Sequence, residues 1–216
     1  VDDNLVITLF RHGLTVANER KAYLGWSDSP LSRKGKAQLC PLVMDAPLVF
    51  SSDLKRCTDT AAILFPEKPV QQIKEFRELH FGEWEGKTYE DLLEDRDYKK
   101  WLEDPLAVIP PNGEGFDQFA DRVQRGWKSV KEQMAEQGIK RAAIVTHGGV
   151  IRYLLMKYAP VEKPFWEWGI PHGNGWEMNF HTEDFRRDGR CTLLREALIT
   201  ANPSGSRNII KEKGKC

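Results

Sequence analysis

Leu5-Val-Ile-Thr-Leu-Phe-Arg-His-Gly13 is an apolar run that stops abruptly at a cation, an imidazole and a glycine. It reads as a buried strand that delivers Arg11 and His12 to a tight turn. A second copy of the device lies far down the chain, where Ala142-Ala-Ile-Val-Thr146 passes straight into His147-Gly-Gly149. If the two strands are neighbours in a parallel sheet, both imidazoles emerge at its carboxyl edge. Open α/β sheets bind their ligands there.

Between these strands the order strand, helix, strand, helix repeats. Ser29-Pro-Leu-Ser32 introduces a helix N-capped by Ser32 and cut short by Pro41, after a loop running from Leu14 to Asp28. Leu48-Val-Phe50 is a second strand. Ser51-Ser-Asp53 then caps a helix whose Leu54, Cys57, Ala61 and Leu64 form an apolar stripe. Val70 to Phe76 reads as a third strand, followed by an irregular carboxylate-rich and aromatic-rich segment from Arg77 to Gly86. Helical pattern resumes near Thr88, and Pro105 to Gly115 is a connecting loop. Phe116, Phe119, Ala120, Val123, Trp127, Val130 and Met134 mark a long helix closed by Gly138. Ile151, Leu154, Leu155 and Tyr158 mark another. Two last strands, Gly175 to His181 and Cys191 to Leu198, follow a Trp-rich segment at 165–176. The pattern predicts a three-layer α/β/α fold with a mostly parallel central sheet. One domain over residues 1–201 is expected, with 202–216 as a mobile tail.

The 216 residues carry 32 Lys plus Arg against 32 Asp plus Glu, so no global charge advertises nucleic acid or a membrane surface as partner. Any anion site must be local. No apolar run approaches the roughly 18 residues of a membrane span, and the chain opens on Val1-Asp-Asp3 rather than a basic leader. A cytoplasmic protein is the expectation. Cys40, Cys57, Cys191 and Cys216 form no C-x-x-C pair, and neither H-E-x-x-H nor comparable metal-ligand spacing occurs. Reduced thiols are expected, with Cys57 in the core.

Arg56 lies in the first turn of its helix, off the apolar stripe, where a cation opposes the helix dipole. It becomes sensible beside an anion held by the same helix end. Brought together, Arg11, His12, Arg56 and His147 match the charge of a phosphate monoester, and the adjacent glycines let backbone N–H groups approach it. A neutral imidazole is a competent nucleophile, and flanking arginines keep it neutral. Hydrolysing such an ester requires up to roughly 28 kcal/mol of barrier reduction, which calls for a convergent set of groups. The leaving oxygen also needs a proton donor. Glu78, Glu83 and Glu85 are the candidates.

The blocks Leu9-Phe-Arg-His-Gly-Leu-Thr-Val-Ala-Asn18, Gly25-Trp-Ser-Asp-Ser-Pro-Leu-Ser32, Ser51-Ser-Asp-Leu-Lys-Arg-Cys-Thr-Asp-Thr-Ala61, Arg77-Glu-Leu-His-Phe-Gly-Glu-Trp-Glu-Gly86 and Val145-Thr-His-Gly-Gly149 together resemble the histidine phosphatase superfamily, over roughly residues 5 to 200. The resemblance implies a phosphoglycerate mutase-like fold and a phosphohistidine mechanism. It makes His12 the nucleophile and assigns Arg11, Arg56 and His147 to the phosphoryl group. Asn18, Gly25 and Gly148 would add hydrogen bonds, with Thr15 and Leu24 at the edge of the site. The family's proton donor corresponds to Glu78, which leaves Glu83 and Glu85 as salt-bridging or solvated carboxylates. No metal and no organic cofactor are implied, and chelators should have no effect. Leu14 departs from the Glu that many members carry after Arg-His-Gly, and Gly115 from the Ser that often precedes the long helix.

Within the superfamily, His147-Gly-Gly-Val-Ile-Arg152 and the compact length resemble the alpha-ribazole phosphatase type of the late cobalamin pathway. The Trp-rich segment would then receive a nucleotide-like base, although core or rim packing suits most of its aromatics equally well. His172, in the same region, is open between bordering the site and serving the loop. The partner is a small phosphomonoester. A broad-specificity phosphatase for sugar phosphates or nucleotides is the alternative. A cofactor-dependent phosphoglycerate mutase is disfavoured, because Lys87 to Phe116 lacks the Arg-Arg pair that would grip a carboxylate. A silent binding module is disfavoured because an inert scaffold has no need of this charged set.

Overall fold

The computed structural model describes residues 4–198. The tail assigned to 202–216 lies outside them. Six strands, β1 (Asn4–Arg11), β2 (Leu48–Ser51), β3 (Val70–Gln72), β4 (Arg141–Thr146), β5 (Asn174–His181) and β6 (Leu193–Leu198), form one sheet in the order β3-β2-β4-β1-β5-β6. The first four run parallel. The last two are added antiparallel. The sheet is therefore mixed, its four parallel strands contiguous from β3 to β1.

The central strands are apolar because both faces are covered. Leu5, Ile7 and Leu9 of β1, Ala142 and Ile144 of β4, and Leu48 and Phe50 of β2 all point to one face. There they meet α5 (Phe116–Glu136) through Phe119, Val123, Trp127, Val130 and Met134, and α6 (Gly148–Tyr158) through Val150, Ile151, Leu154 and Leu155. The alternate residues Phe10, Val49, Ala143 and Val145 face α3 (Lys55–Leu64), which contributes Cys57, Ala61 and Leu64. Three layers follow from period-2 alternation in the strands and period-3.6 stripes in the helices. A separate aromatic cluster of Trp84, Tyr98 and Trp101 with Leu92, joined by Tyr23 and Phe81, organises the excursion between β3 and α5. It includes the short helix α4 (Arg96–Glu103), capped by Asp95.

Several local expectations give way to tertiary contacts. The loop from Leu14 to Asp28 contains a single helical turn, α1 (Val16–Glu19), closed by a capping box between Thr15 and Asn18. The short helix α2 (Arg33–Ala37) is capped by Ser32 as expected, yet it ends four residues before Pro41. The strand expected over Val70 to Phe76 stops at Gln72. Ile73 adds one more ladder bond to the Ser51 carbonyl, then Lys74–Phe76 coil into a 3₁₀ turn that buries Phe76 against Gly126 of α5. At Thr88 there is only a 3₁₀ turn, Glu90–Leu92, before α4. The strand expected from Cys191 begins at Leu193, because the Cys191 N–H is taken by the Tyr158 carbonyl.

The cap of α3 is the largest departure. Its N-cap is Leu54, with no side-chain cap bond of its own. Asp53 instead pairs with Arg77, at 2.8 Å to Nε and 2.5 Å to Nη2. The free amides of Lys55 and Arg56 donate to the carboxylate of Asp28, from the distant loop. The anion at this helix end is thus the protein's own side chain.

Candidate active site

In the β1–β4 register Arg11 lies opposite Thr146, so His12 and His147 leave the sheet at the same level. The His12 N–H donates to the Thr146 carbonyl at 2.9 Å, which prolongs the ladder through the imidazole-bearing residue. Ser52, the first residue beyond β2, donates its N–H to Val145 and lies on the other side of His147. The two imidazoles meet at 5.2 Å between ring centroids, inclined by 65°.

His12 is 4% exposed. Its Nδ1 lies 2.8 Å from the Gly13 carbonyl, which can only accept; Nδ1 therefore carries the proton and Nε2 keeps a free lone pair. Thr60 of α3 fixes the glycine turn, its hydroxyl accepting from the Gly13 N–H and donating to the Arg56 carbonyl. Arg56 is fully buried. Its Nη2 donates to Gly25 O at 2.6 Å, and its Nη1 donates to Ser27 O at 2.9 Å and Asp28 Oδ1 at 3.3 Å. Such compensation is necessary, since an unpaired guanidinium in the interior costs several kcal/mol. Arg11 donates from Nη1 to the Ile170 carbonyl at 2.6 Å. In both arginines Nε is buried with no hydrogen-bond partner among the described residues. Each of the two arginines whose charge acts on His12 thereby keeps one unpaired N–H donor, an arrangement suited to an anion's oxygens.

Burial holds His12 well below the usual histidine range, and the charges of Arg56 and Arg11, with His172, push in the same direction. Burial dominates at His147 too, followed by Arg56, His12 and Arg11. The Arg11 guanidinium is itself drawn down to about 10 by burial, against the attraction of Glu78. His147 Nε2 lies 3.0 Å from the Ser52 hydroxyl and 3.4 Å from Cys57 Sγ. Burial pushes that thiol's pKa up, so it remains an un-ionised neighbour.

Glu78 comes from the irregular segment. Its Oε1 accepts from the Leu79 N–H and its Oε2 from the Gly149 N–H, both at 3.0 Å, at the N-terminal end of α6. A side chain at position 149 would displace the Glu78 carboxylate, and one at 148, its Cβ 3.3 Å from the Arg11 guanidinium, would crowd that group. Thr15 and Asn18 spend the hydrogen bonds between their side chains and backbones on each other in the α1 cap. Gly25 reaches the site through its carbonyl on Arg56 rather than through an N–H, and half-buried Leu24 precedes it.

Two contributors, Thr60 and Arg122, escape a sequence reading, and a third, His172, is left open by it. His172 packs on His12 at 5.2 Å between centroids, donates from Nδ1 toward the His12 carbonyl at 3.4 Å, and is drawn down to about 3, chiefly by burial and then by Arg11. Thr60 is an unremarked hydroxyl in a helix stripe. Arg122 of α5 donates to the carbonyls of Glu75, Arg77 and Glu78 and pairs with Glu114, which fixes the backbone that carries Glu78. No local pattern marks Thr60 or Arg122. Among the described residues no three His, Cys, Asp or Glu side chains converge as metal ligands do, and no helix is long and apolar enough to cross a membrane.

A family model described as the histidine phosphatase superfamily (branch 1) matches residues 7–187. The chain belongs to the histidine phosphatase superfamily. An adenosylcobalamin/alpha-ribazole phosphatase of Escherichia coli K12 is 34% identical to this histidine phosphatase over 176 residues, covering 76% of this chain and 85% of the relative. The crystal structure of the alpha-ribazole phosphatase from Shigella flexneri superimposes with a TM-score of 0.74 at 29% identity, covering 97% of this chain and all of that one. A phosphoglycerate mutase of Bacillus anthracis, at 21% identity and a TM-score of 0.69 over 92% of this chain and 93% of the other, shows the shared phosphoglycerate mutase-like fold.

The buried histidines make the stability of this histidine phosphatase depend on pH. His12, His147 and His172 are neutral in the fold, whereas the unfolded chain protonates its histidines below about pH 6.5. Their contribution is complete above that pH and is lost as the pH falls toward the folded-state values, about 3 for His172. Each removes up to about 1.4 kcal/mol per pH unit in that window. Denaturant titrations between pH 8 and pH 5 should show stability falling below pH 6.5, with a shallower slope in His172→Gln.

Proposed function

We propose that this histidine phosphatase hydrolyses a small phosphomonoester through a phosphohistidine at His12. The observation that carries this reading is the proton of His12 held on the Gly13 carbonyl, with both arginines alongside. Nε2 is then the free nucleophile at neutral pH. Arg11, Arg56 and His147 bind the phosphoryl oxygens, assisted by backbone and side-chain donors around Asn18 and Gly148, with Thr15 and Leu24 at the edge. Nε2 attacks phosphorus in line while the phosphorus–oxygen ester bond breaks. Glu78, entering as the acid, gives its proton to the leaving alkoxide. The resulting carboxylate then takes a proton from water as that water attacks the phosphohistidine, which releases phosphate and restores both groups. The single domain expected over residues 1–201 is the catalytic unit in this reading.

For the substrate we propose alpha-ribazole 5'-phosphate. Beside Glu78 and Gly149 a cleft opens between walls of Phe81, Leu106, Phe116 and Phe165, with Trp166 and Arg152 at its rim. The Arg152 guanidinium lies 5.7 Å from the Trp166 ring centroid, and its Nε donates to the Trp168 carbonyl. Apolar walls with one cation-backed aromatic suit a leaving half that carries a flat, nucleotide-like base better than a small charged acid.

Phosphate release from alpha-ribazole 5'-phosphate, 3-phosphoglycerate, sugar phosphates and nucleotides tests both levels of the proposal. The highest kcat/KM is expected for alpha-ribazole 5'-phosphate, with no change on adding chelator. Equal turnover of sugar phosphates and nucleotides would replace this substrate by a broad set. Conversion of 3-phosphoglycerate to 2-phosphoglycerate without phosphate release would replace hydrolysis by mutase chemistry.

A further inference from the structure

Glu83 and Glu85 stand two residues apart, but only Glu83 behaves as a surface carboxylate, accepting from the exposed Asn112 side chain at 2.6 Å. The Glu85 side chain is 10% exposed. Its Oε1 accepts the Trp26 N–H at 2.8 Å and the Phe81 N–H at 3.2 Å, and its Oε2 accepts the Ser27 N–H at 2.5 Å. The titratable group facing it is His80, with Nε2 at 3.6 Å. Burial opposes its ionisation, but the bonds from Ser27 and Trp26 outweigh that and lower its pKa.

These three donors come from two stretches of chain that carry different parts of the site. Trp26 and Ser27 belong to the loop 25–28, whose Gly25 carbonyl, Ser27 carbonyl and Asp28 carboxylate are the acceptors for the Nη atoms of Arg56. Phe81 belongs to the segment that carries Glu78. The Trp26 indole donates from Nε1 to the Glu78 carbonyl at 2.9 Å, and its ring is enclosed by His80 at 4.8 Å and Arg77 at 5.0 Å. The junction is tight enough to demand glycine at position 25, where a Cβ would lie 2.9 Å from the Phe81 nitrogen.

We propose that Glu85 is a positioning residue that locks the Arg56-holding loop to the Glu78-bearing segment and so sets the distance between phosphate cradle and acid. This rests on the phosphohistidine reading. An amide at position 85 keeps the shape but supplies one acceptor oxygen and directs an NH₂ at a backbone N–H. The loop then loses its register and Arg56 moves with it. Displacements near 1 Å at such a site lower rates by about 10²-fold.

The test compares wild type, Glu85→Gln, Glu85→Asp and a structural control, Asp95→Asn. Asp95 caps α4 and accepts from Trp84 Nε1 in the neighbouring aromatic cluster, without touching loop 25–28. Inorganic phosphate binding is measured by calorimetry, without turnover, beside kcat/KM against pH. In Glu85→Gln phosphate binding should weaken by about tenfold and kcat/KM fall by about 10²-fold. The acid limb of the profile should move to higher pH, because Arg56 is the largest charge effect on His12, ahead of Arg11 and His172, with His147 beside it. Glu85→Asp, still an anion with two acceptor oxygens, should recover part of all three changes. Asp95→Asn should lower the melting temperature and move none of them.

Folded Glu85→Gln with unchanged phosphate affinity and acid limb overturns the proposal. If Glu85→Gln does not fold, the same unchanged values in Glu85→Asp overturn it. Wild type that binds phosphate but releases none from any ester would refute the phosphohistidine reading, while the phosphate arm still decides the role of Glu85.

Discussion

Replacing His12 by alanine lowers kcat by at least about 10⁴-fold, the loss typical of removing a covalent nucleophile. The loss should be nearly independent of the ester, since every substrate passes through the same phosphorus–nitrogen bond. Phosphate affinity should change far less, because Arg11, Arg56 and the Gly148 turn remain in place. Rapid-quench labelling with a phosphorus-labelled ester gives the direct measurement, with acid-labile label on wild type and none on His12→Ala. The lost ring makes one hydrogen bond to its own turn, and the backbone N–H that extends the ladder is untouched, so a melting curve beside the kinetics separates loss of chemistry from loss of the ring's packing on His147 and His172. Retention of more than a hundredth of the wild-type rate would move the nucleophile elsewhere.

Glu78→Gln separates the two half-reactions. Loss of a general acid costs about 10²- to 10⁴-fold, but only where the leaving group needs a proton. Alkyl phosphates should therefore lose that factor in kcat/KM, while a nitrophenyl ester, whose leaving oxygen departs unaided, should phosphorylate His12 at close to the wild-type rate. The second step still lacks its base. A burst of nitrophenol equal to the enzyme concentration, followed by slow turnover, is the expected trace. Uniform loss on both ester types with no burst would make Glu78 a binding group. The Gln side chain retains an acceptor for either the Leu79 or the Gly149 N–H, so its position at the start of α6 is largely kept.

The features legible in the sequence are those with a local period. Parallel strands covered on both faces must be apolar throughout, so β1 and β4 stand out, and the abrupt change to Arg-His-Gly and His-Gly-Gly marks where they leave the sheet. The stripe of α5 is equally plain. The residues hidden from such a reading act across long separations. Asp28 caps a helix that begins 27 residues later, Arg122 binds carbonyls 44 to 47 residues upstream, and Glu85 reaches back 58 and 59 residues to Ser27 and Trp26. Their side chains obey no helical or strand period, because their partners are backbone groups of irregular loops. His172 was ambiguous for the same reason, a Gly-rich turn having no face. The carboxylates of the irregular segment look alike in sequence and divide only by what their oxygens touch.

The pairing of β1 also sets a timetable for synthesis. Both neighbours of this first strand lie beyond residue 140, in β4 and β5. A ribosome adding 5–20 residues per second leaves Leu5 to Phe10 without a sheet partner for roughly 7 to 27 s. Until β4 emerges, the growing chain offers a naked aggregation-prone ribbon and no catalytic centre, since His12 and His147 meet only when that ladder closes. Activity is thereby withheld from chains that stop before β4, and the nascent chain's period of greatest need for a chaperone coincides with its inert phase.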